Sequence, residues 1–397
     1  MTDAHAPTHR RYELDWIRVI AFSLLILFHT GMFFNTWDWH VKNNVTIAWL
    51  EPIMAFLHQW RMPILFFVSG AAVWFMMDKY PTGRFVWERH NRLLIPLAVG
   101  MFFIIPPQVY YERLFQGQTF DFVTFYRTVL DLVPYPKGNF SWHHLWYIPY
   151  IFTFSMVALP LFLFFKGQRG RRVLAAFQSF VAKGNRIYFL FLPVAVSEIC
   201  IRPFWPDNAN NLLGDWAQFT SMLIVFITGF VLAGSQAVWD SLSSLRIRSL
   251  LLASIAFGIL FAFWELGPEN PTVWQMSLYR VVRMLNMWLW MVVGFGFARF
   301  YLRSSNRFLR WANDAVYPFY ILHQTITVIG GFYLAPLDLS VGVKFLLLAA
   351  TTFGGSWILY EALIKRINLL RVCFGMRWKP PQPSTATFRD FLSFGGE

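Results

Sequence analysis

Arg18 and His29 stand eleven residues apart in the first apolar run of the chain, LDWIRVIAFSLLILFHTGMFF, Leu14 to Phe34. At about 100° per residue, an eleven-residue step overshoots three turns by only about 20°, so both side chains share one helix face, about 16 Å apart along the axis. A guanidinium and an imidazole in a segment otherwise fit for lipid are costly, and such groups are functional candidates by default. The imidazole can exchange a proton near neutral pH. The guanidinium offers a planar fork of donors to phosphate or carboxylate. The plainer alternative is that Arg18 snorkels to the interface and His29 bonds a neighbouring helix.

These two residues need a membrane bundle to hold them, and the composition provides one. Hydrophobic residues make up 56% of the chain and charged residues 14%, and the mean hydropathy is +0.44; a soluble domain carries about 25% charged residues. Aromatic residues reach 20%, with 44 Phe and 19 Trp, as suits interfacial belts. Apolar segments near 16–34, 62–77, 93–111, 144–165, 187–201, 217–234, 250–264, 284–298, 315–333 and 345–361 predict an all-α bundle of about ten transmembrane helices. Of the 34 Lys and Arg residues, 24 fall at the amino end, in the tail and in the connections on one side, and nine on the other. By the positive-inside rule both termini are cytoplasmic. The net charge of +13 is therefore a topology signal and an attraction to anionic lipid, not a nucleic-acid footprint. The two cysteines, Cys200 and Cys373, are too few for a disulfide framework. No cleavable signal peptide and no convincing internal repeat are evident. The expected organisation is a cytoplasmic segment over 1–15, a transmembrane domain over 16–361 and a partly disordered cytoplasmic tail over 362–397, with no chemistry legible after Gly375. An amphipathic helix is expected near Phe120 to Val133.

On this topology many ionisable groups converge on the outer half of the bundle: His29, His58 and Arg61, His143 and His144, Glu198 with Arg202, Arg280 and Arg283, and His323 near mid-membrane. Outer loops need polar residues in any case, so the weight lies on the cluster rather than on single members. No strong metal-ligand spacing appears.

The same residues carry a resemblance. Arg18 and His29, preceded by Leu14-Asp15, resemble the Arg-x10-His signature of the acyltransferase-3 family of membrane acyltransferases. Phe66-Phe67-Val68-Ser69-Gly70 is similar to its FFxSG segment. Arg89 and Arg92 before Leu93-Leu94-Ile95-Pro96 resemble its basic segment. His144-Leu145-Trp146-Tyr147-Ile148 is similar to its HLWFL element, and Tyr317-Pro318-Phe319-Tyr320-Ile321-Leu322-His323-Gln324 to its late YPxYLLHQ element. Softer likeness in WDWH and in QWRMP around Arg61 points to the glucan-biosynthesis branch.

The resemblance implies an enzyme of the bacterial inner membrane. Its donor substrate would be a cytoplasmic acyl-CoA, with no permanently bound cofactor, and its acceptor a carbohydrate hydroxyl at the outer face. The transferred group would be acetyl or succinyl. In that reading His29 is the general base, Arg18 serves the donor and Asp15 orients Arg18. Arg89, Arg92 and Ser69 are donor-side candidates, although Ser69 and Gly70 also fit close helix packing. The acceptor-side candidates are His58, Arg61, His143, His144, Glu198, Arg280, Arg283 and His323. A transporter or flippase for a glycan or anionic substrate is the alternative, weakened by the missing repeat. A membrane scaffold gives no reason to bury these charges.

Overall fold

The computed structural model describes residues 10–206 and 211–380, and among them the regular structure is helical, with no β-strand. In chain order the helices are α1 (Tyr12–Met32), α2 (Glu51–Lys79), α3 (Thr82–Phe115), α4 (Phe122–Leu130), α5 (His143–Val157), α6 (Leu159–Lys166), α7 (Gln168–Val181), α8 (Arg186–Phe204), α9 (Trp216–Ala233), α10 (Gln236–Leu266), α11 (Val273–Tyr301), α12 (Arg307–Leu334), α13 (Val341–Ile364) and α14 (Asn368–Cys373). Eight of them (α1, α2, α3, α8, α9, α10, α11 and α13) are long and apolar enough to cross a membrane. The pair α5 and α6, bent by 52° at its break, gives a ninth if it is one span. The protein is thus all-helical and multi-pass. The expected segment 315–333 lies in α12, a helix of 28 residues; its centre holds Tyr317, Tyr320, His323 and Gln324, and it is less apolar than the other nine.

The amphipathic helix expected near Phe120 to Val133 is α4. Asp121 caps it by accepting the backbone N–H groups of Val123 and Thr124 at 2.9 and 3.0 Å, which satisfies donors the first turn leaves free. The tail does not leave the bundle at once. α14 follows α13, and Gly375 turns with φ +70° against the ring of Tyr317. The tail beyond residue 380 lies outside the described residues.

Glycine sets the closest helix contact. A Cβ on Gly70 of α2 would stand 1.8 Å from the Phe226 carbonyl oxygen of α9, and one on Gly229 of α9 would stand 2.0 Å from the Phe67 carbonyl oxygen of α2. The two backbones touch because each presents a glycine to the other, a small-residue solution suited to membranes where burial alone drives little association. α1 runs between α2, α11, α12 and α13. The loop after α1 is pinned by Asn43 and Ile47, whose N–H groups donate to the Phe33 and Phe34 carbonyls at 2.9 and 2.7 Å. Lys42 Nζ donates to the Met32 and Trp37 carbonyls and to Asn35 Oδ1, which closes the carboxyl end of α1; partial burial lowers the Lys42 pKa to about 8. Lys344 of α13, 1% exposed, holds the same loop through Asn43 and Asn44 and also donates to the Ala335 carbonyl at the end of α12.

Candidate active site

Arg18 and His29 both face α12. Arg18 Nη2 donates to Asn313 Oδ1 at 2.5 Å, and His29 Nδ1 lies 2.7 Å from His323 Nε2. The helical period therefore puts both on one face, as the spacing requires. His323 is fully buried, and its Nδ1 is 2.7 Å from the Tyr320 carbonyl oxygen. A carbonyl only accepts, so Nδ1 of His323 carries the proton and its Nε2 is the acceptor. His29 Nδ1–H then donates to it. With the ring neutral, this chain of bonds leaves His29 with an unprotonated Nε2.

His29 lies on two adjoining lobes of one chamber. The first, about 420 Å³, is lined by Phe28, His29, His58, Arg61, His144, Trp146, Glu198, Arg202, Arg283 and Tyr320. The second, about 630 Å³, shares Phe28, His29, His144 and Trp146 and adds Trp39, His40, Tyr135, His143 and Gln324. Volumes of this order suit a small-molecule or sugar ligand. His144 Nε2–H donates to the Ile321 carbonyl at 3.0 Å, which leaves its buried Nδ1 free. Tyr135, in the loop over the second lobe, has its pKa raised to about 12 by burial and by Glu112, whose Oε1 accepts its hydroxyl at 2.8 Å.

Charge in the first lobe is unevenly matched. Glu198 accepts from Arg202, Arg283 and Ser221 at 2.7 to 3.2 Å, and Asp215 takes Arg202 at 3.0 Å. These two carboxylates balance the two arginines. Arg61 is 3% exposed and sits 3.7 Å over the Phe28 ring. Among the described residues no carboxylate pairs with it, and its Nε and Nη1 are buried without a hydrogen-bond partner. A buried cation without an internal counter-charge is expensive, and a negative charge in the chamber would stabilise it.

A separate chamber of about 550 Å³ opens at the other end of α1. Arg10, Arg18, Ser69, Arg89, Arg92, Tyr147, Asn313, Asp314, Tyr317, Arg371 and Arg377 line it. Six arginines face one lining carboxylate, and Arg18 Nε, Arg89 Nε and Nη2 and Arg92 Nε lack hydrogen-bond partners among the described residues. Asp15 pairs with Arg10 at 2.8 Å and with Arg18 at 3.8 Å. Three rings stand between the chambers: Phe22 and Tyr147 in the wall of this one and Tyr320 in the wall of the other, with centroids 5.2 to 6.3 Å apart. Over residues 11–361 the sequence matches the acyltransferase domain of the acyltransferase-3 family.

The chain belongs to that family. It is an O-acyltransferase. It is similar to Glucans biosynthesis protein C of Salmonella heidelberg (strain SL476), 26% identical over 386 residues that cover 94% of this chain and 96% of the relative. It is equally similar in extent to Glucans biosynthesis protein C of Salmonella enteritidis PT4 (strain P125109), 27% identical over 387 residues. No solved structure matches.

In this acyltransferase the four donor-side candidates Arg18, Ser69, Arg89 and Arg92 share one chamber. The acceptor-side candidates divide. His58, Arg61, His143 and His144 line the His29 chamber, as do Glu198 and Arg283, but the last two are engaged with each other. Arg280 lines neither chamber. His323, expected among acceptor contacts, is set behind His29 and bonds to it, because α12 turns that face into the core. The tail adds Arg371 and Arg377 to the arginine chamber, the second from the stretch after Gly375 in which no chemistry was legible. Sequence reading also missed Asn313, Tyr147 and Tyr320. Tyr147 and Tyr320 lie inside the HLWYI and YPFYILHQ elements, which was the available signal.

Proposed function

We propose that this enzyme moves an acyl group from a cytoplasmic acyl-CoA to a hydroxyl of a carbohydrate on the far side of the bacterial inner membrane, with His29 as the general base. The observation that carries the reading is the His29–His323–Tyr320 hydrogen-bond chain, which fixes the tautomer a base needs. His29 Nε2 takes the proton of the acceptor hydroxyl as its oxygen attacks the thioester carbonyl. The C–O bond forms, the C–S bond breaks, and His29 returns the proton to the departing sulfur. General-base help of this kind contributes about 10²- to 10⁴-fold. Arg61 faces the oxyanion that develops on the carbonyl oxygen. The arginine chamber suits the phosphates of coenzyme A, with Asp15 steadying Arg18. The Phe22, Tyr147 and Tyr320 rings must part to let the thioester arm through. Acetyl and succinyl groups both fit this chemistry, and the names of the relatives favour a glucan acceptor.

The positive-inside count supports ten spans with both termini cytoplasmic. In that arrangement α12 is the remaining span, its polar face covered by α1, α3 and α13. The test is direct. Purified enzyme, acyl-CoA and glucan should give an acylated glucan by mass spectrometry, and His29→Ala should lose at least about 100-fold of that turnover at normal membrane levels. Wild-type turnover in His29→Ala would refute the base. Movement of unmodified glycan without acylation would favour transport.

A further inference from the structure

We propose that His40, Glu112 and His143 form a binding site for a divalent transition-metal ion of the zinc class. One ligand atom from each lies within 4.8 Å of the others. The three residues come from the loop after α1, the last turn of α3 and the start of α5, so no regular spacing in the sequence announces them. Each of the three keeps one buried ligand atom, His40 Nδ1, Glu112 Oε2 and His143 Nε2, without a hydrogen-bond partner among the described residues. His40 Nδ1 and Glu112 Oε2 are 3.0 Å apart as an ion-pair contact, and neither atom makes a hydrogen bond. Buried polar atoms are normally satisfied. A cation that accepts three lone pairs satisfies all three at once.

The surrounding groups suit a metal. Glu112 Oε1 is occupied by the Tyr135 hydroxyl, which leaves Oε2 to ligate. His40 Nε2 lies 3.0 Å from the side-chain amide nitrogens of Gln108 and Gln324, and Gln108 Oε1 is buried and unpaired. Turning the Gln108 and Gln324 amides over lets their oxygens accept His40 Nε2–H, the outer contact that metal-bound histidines ordinarily make. Tetrahedral bonds of about 2.1 Å put ligand atoms about 3.4 Å apart, within reach of small side-chain rotations. Two imidazoles and one carboxylate are a zinc-type set that leaves a fourth position open. His40 and His143 line the lobe that also holds His29, so that position faces the chamber. Such an ion would tie the loop and the α5 turn to α3. The site stands independently of the acyl-transfer reading.

The full-length enzyme, purified in detergent and stripped with a chelator, is titrated calorimetrically with zinc chloride. One equivalent should bind. Glu112→Gln, His40→Gln and His143→Gln should each weaken binding by more than about 100-fold, since loss of an outer-shell partner alone costs about 10- to 100-fold. Absence of binding by the wild type, or unchanged affinity in all three variants, overturns the site. A second measurement does not depend on how the variants fold. Cobalt loaded into the wild type should give the strong visible absorption of a tetrahedral site, and a weak octahedral spectrum overturns the assignment.

Discussion

A sugar hydroxyl is a weak nucleophile, and an imidazole helps it only in the correct tautomer. His323 supplies that condition, because its Nδ1–H is committed to the Tyr320 carbonyl and its Nε2 can only accept from His29. In serine hydrolases the partner that fixes the tautomer is worth about 10⁴-fold. His323→Ala should lower kcat by about 10²-fold or more while KM for the acceptor holds, and His323→Gln, which keeps an acceptor oxygen, should recover part of it. Steady-state kinetics checks this; equal losses in KM and in folded yield would make His323 structural only. Arg61 makes a second case. Its buried guanidinium has no internal counter-charge, so Arg61→Met should lower kcat by about 10²- to 10³-fold, as loss of an oxyanion donor does, while thermal stability rises or holds because an unpaired buried charge is gone. A loss of stability with intact kcat would contradict this role. The Arg18–His29 pair was legible because a period of 3.6 residues makes their common face calculable. The service His323 gives to His29 was not, because their partnership spans 294 residues of chain.

Helices were legible where lipid or core demands continuous apolar length, and all ten expected segments are helical. What the apolar count missed is polarity with a purpose: α12 is the least lipid-like of these helices because its polar residues partner His29, Arg18 and the chamber walls. The break between α5 and α6 and the return of the tail were hidden for a similar reason, since both depend on neighbours remote in the chain. Packing of α2 on α9 gives a prediction at this scale. Gly70→Ala and Gly229→Ala each place a methyl group within 2.0 Å of a backbone carbonyl oxygen, which only separation of the helices relieves. Each should cost at least about 1–3 kcal/mol and sharply reduce folded, membrane-inserted protein. Gly258→Ala in α10, where nothing lies within 4 Å, should be neutral or stabilising, by up to about 1 kcal/mol from helix propensity. Size-exclusion yield and thermal unfolding in detergent compare the three. Tolerance of alanine at Gly70 would mean that the two helices do not meet there.

At the scale of the whole molecule, two chambers with different chemistry open at opposite ends of α1, and the ring septum keeps them apart. An excess of arginine over carboxylate lines one, which on the proposed reading suits a polyanion; histidines with free lone pairs line the other, which on that reading suits proton transfer. The continuous cavity that an elongated donor needs is not open in this state, because Phe22, Tyr147 and Tyr320 close it. Arg18 and His29 are about 16 Å apart along the helix, too far for both to act on one atom, yet a span that a flexible thioester arm can cross once the rings move. On the proposed function this arrangement predicts a vectorial reaction. In sealed vesicles of one orientation, acyl-CoA should support acylation only from the side that carries the 166–186 connection, and the glucan only from the side of the 112–143 loop. Cysteine labelling of those two segments should place them on opposite faces. Tyr147→Phe removes the hydroxyl that bonds Ser69 and the Leu65 carbonyl but keeps the ring, so it should loosen the septum and change kcat without altering sidedness. Acylation with both substrates confined to one face of a sealed vesicle would show that the two chambers do not divide the reaction between the two sides of the membrane.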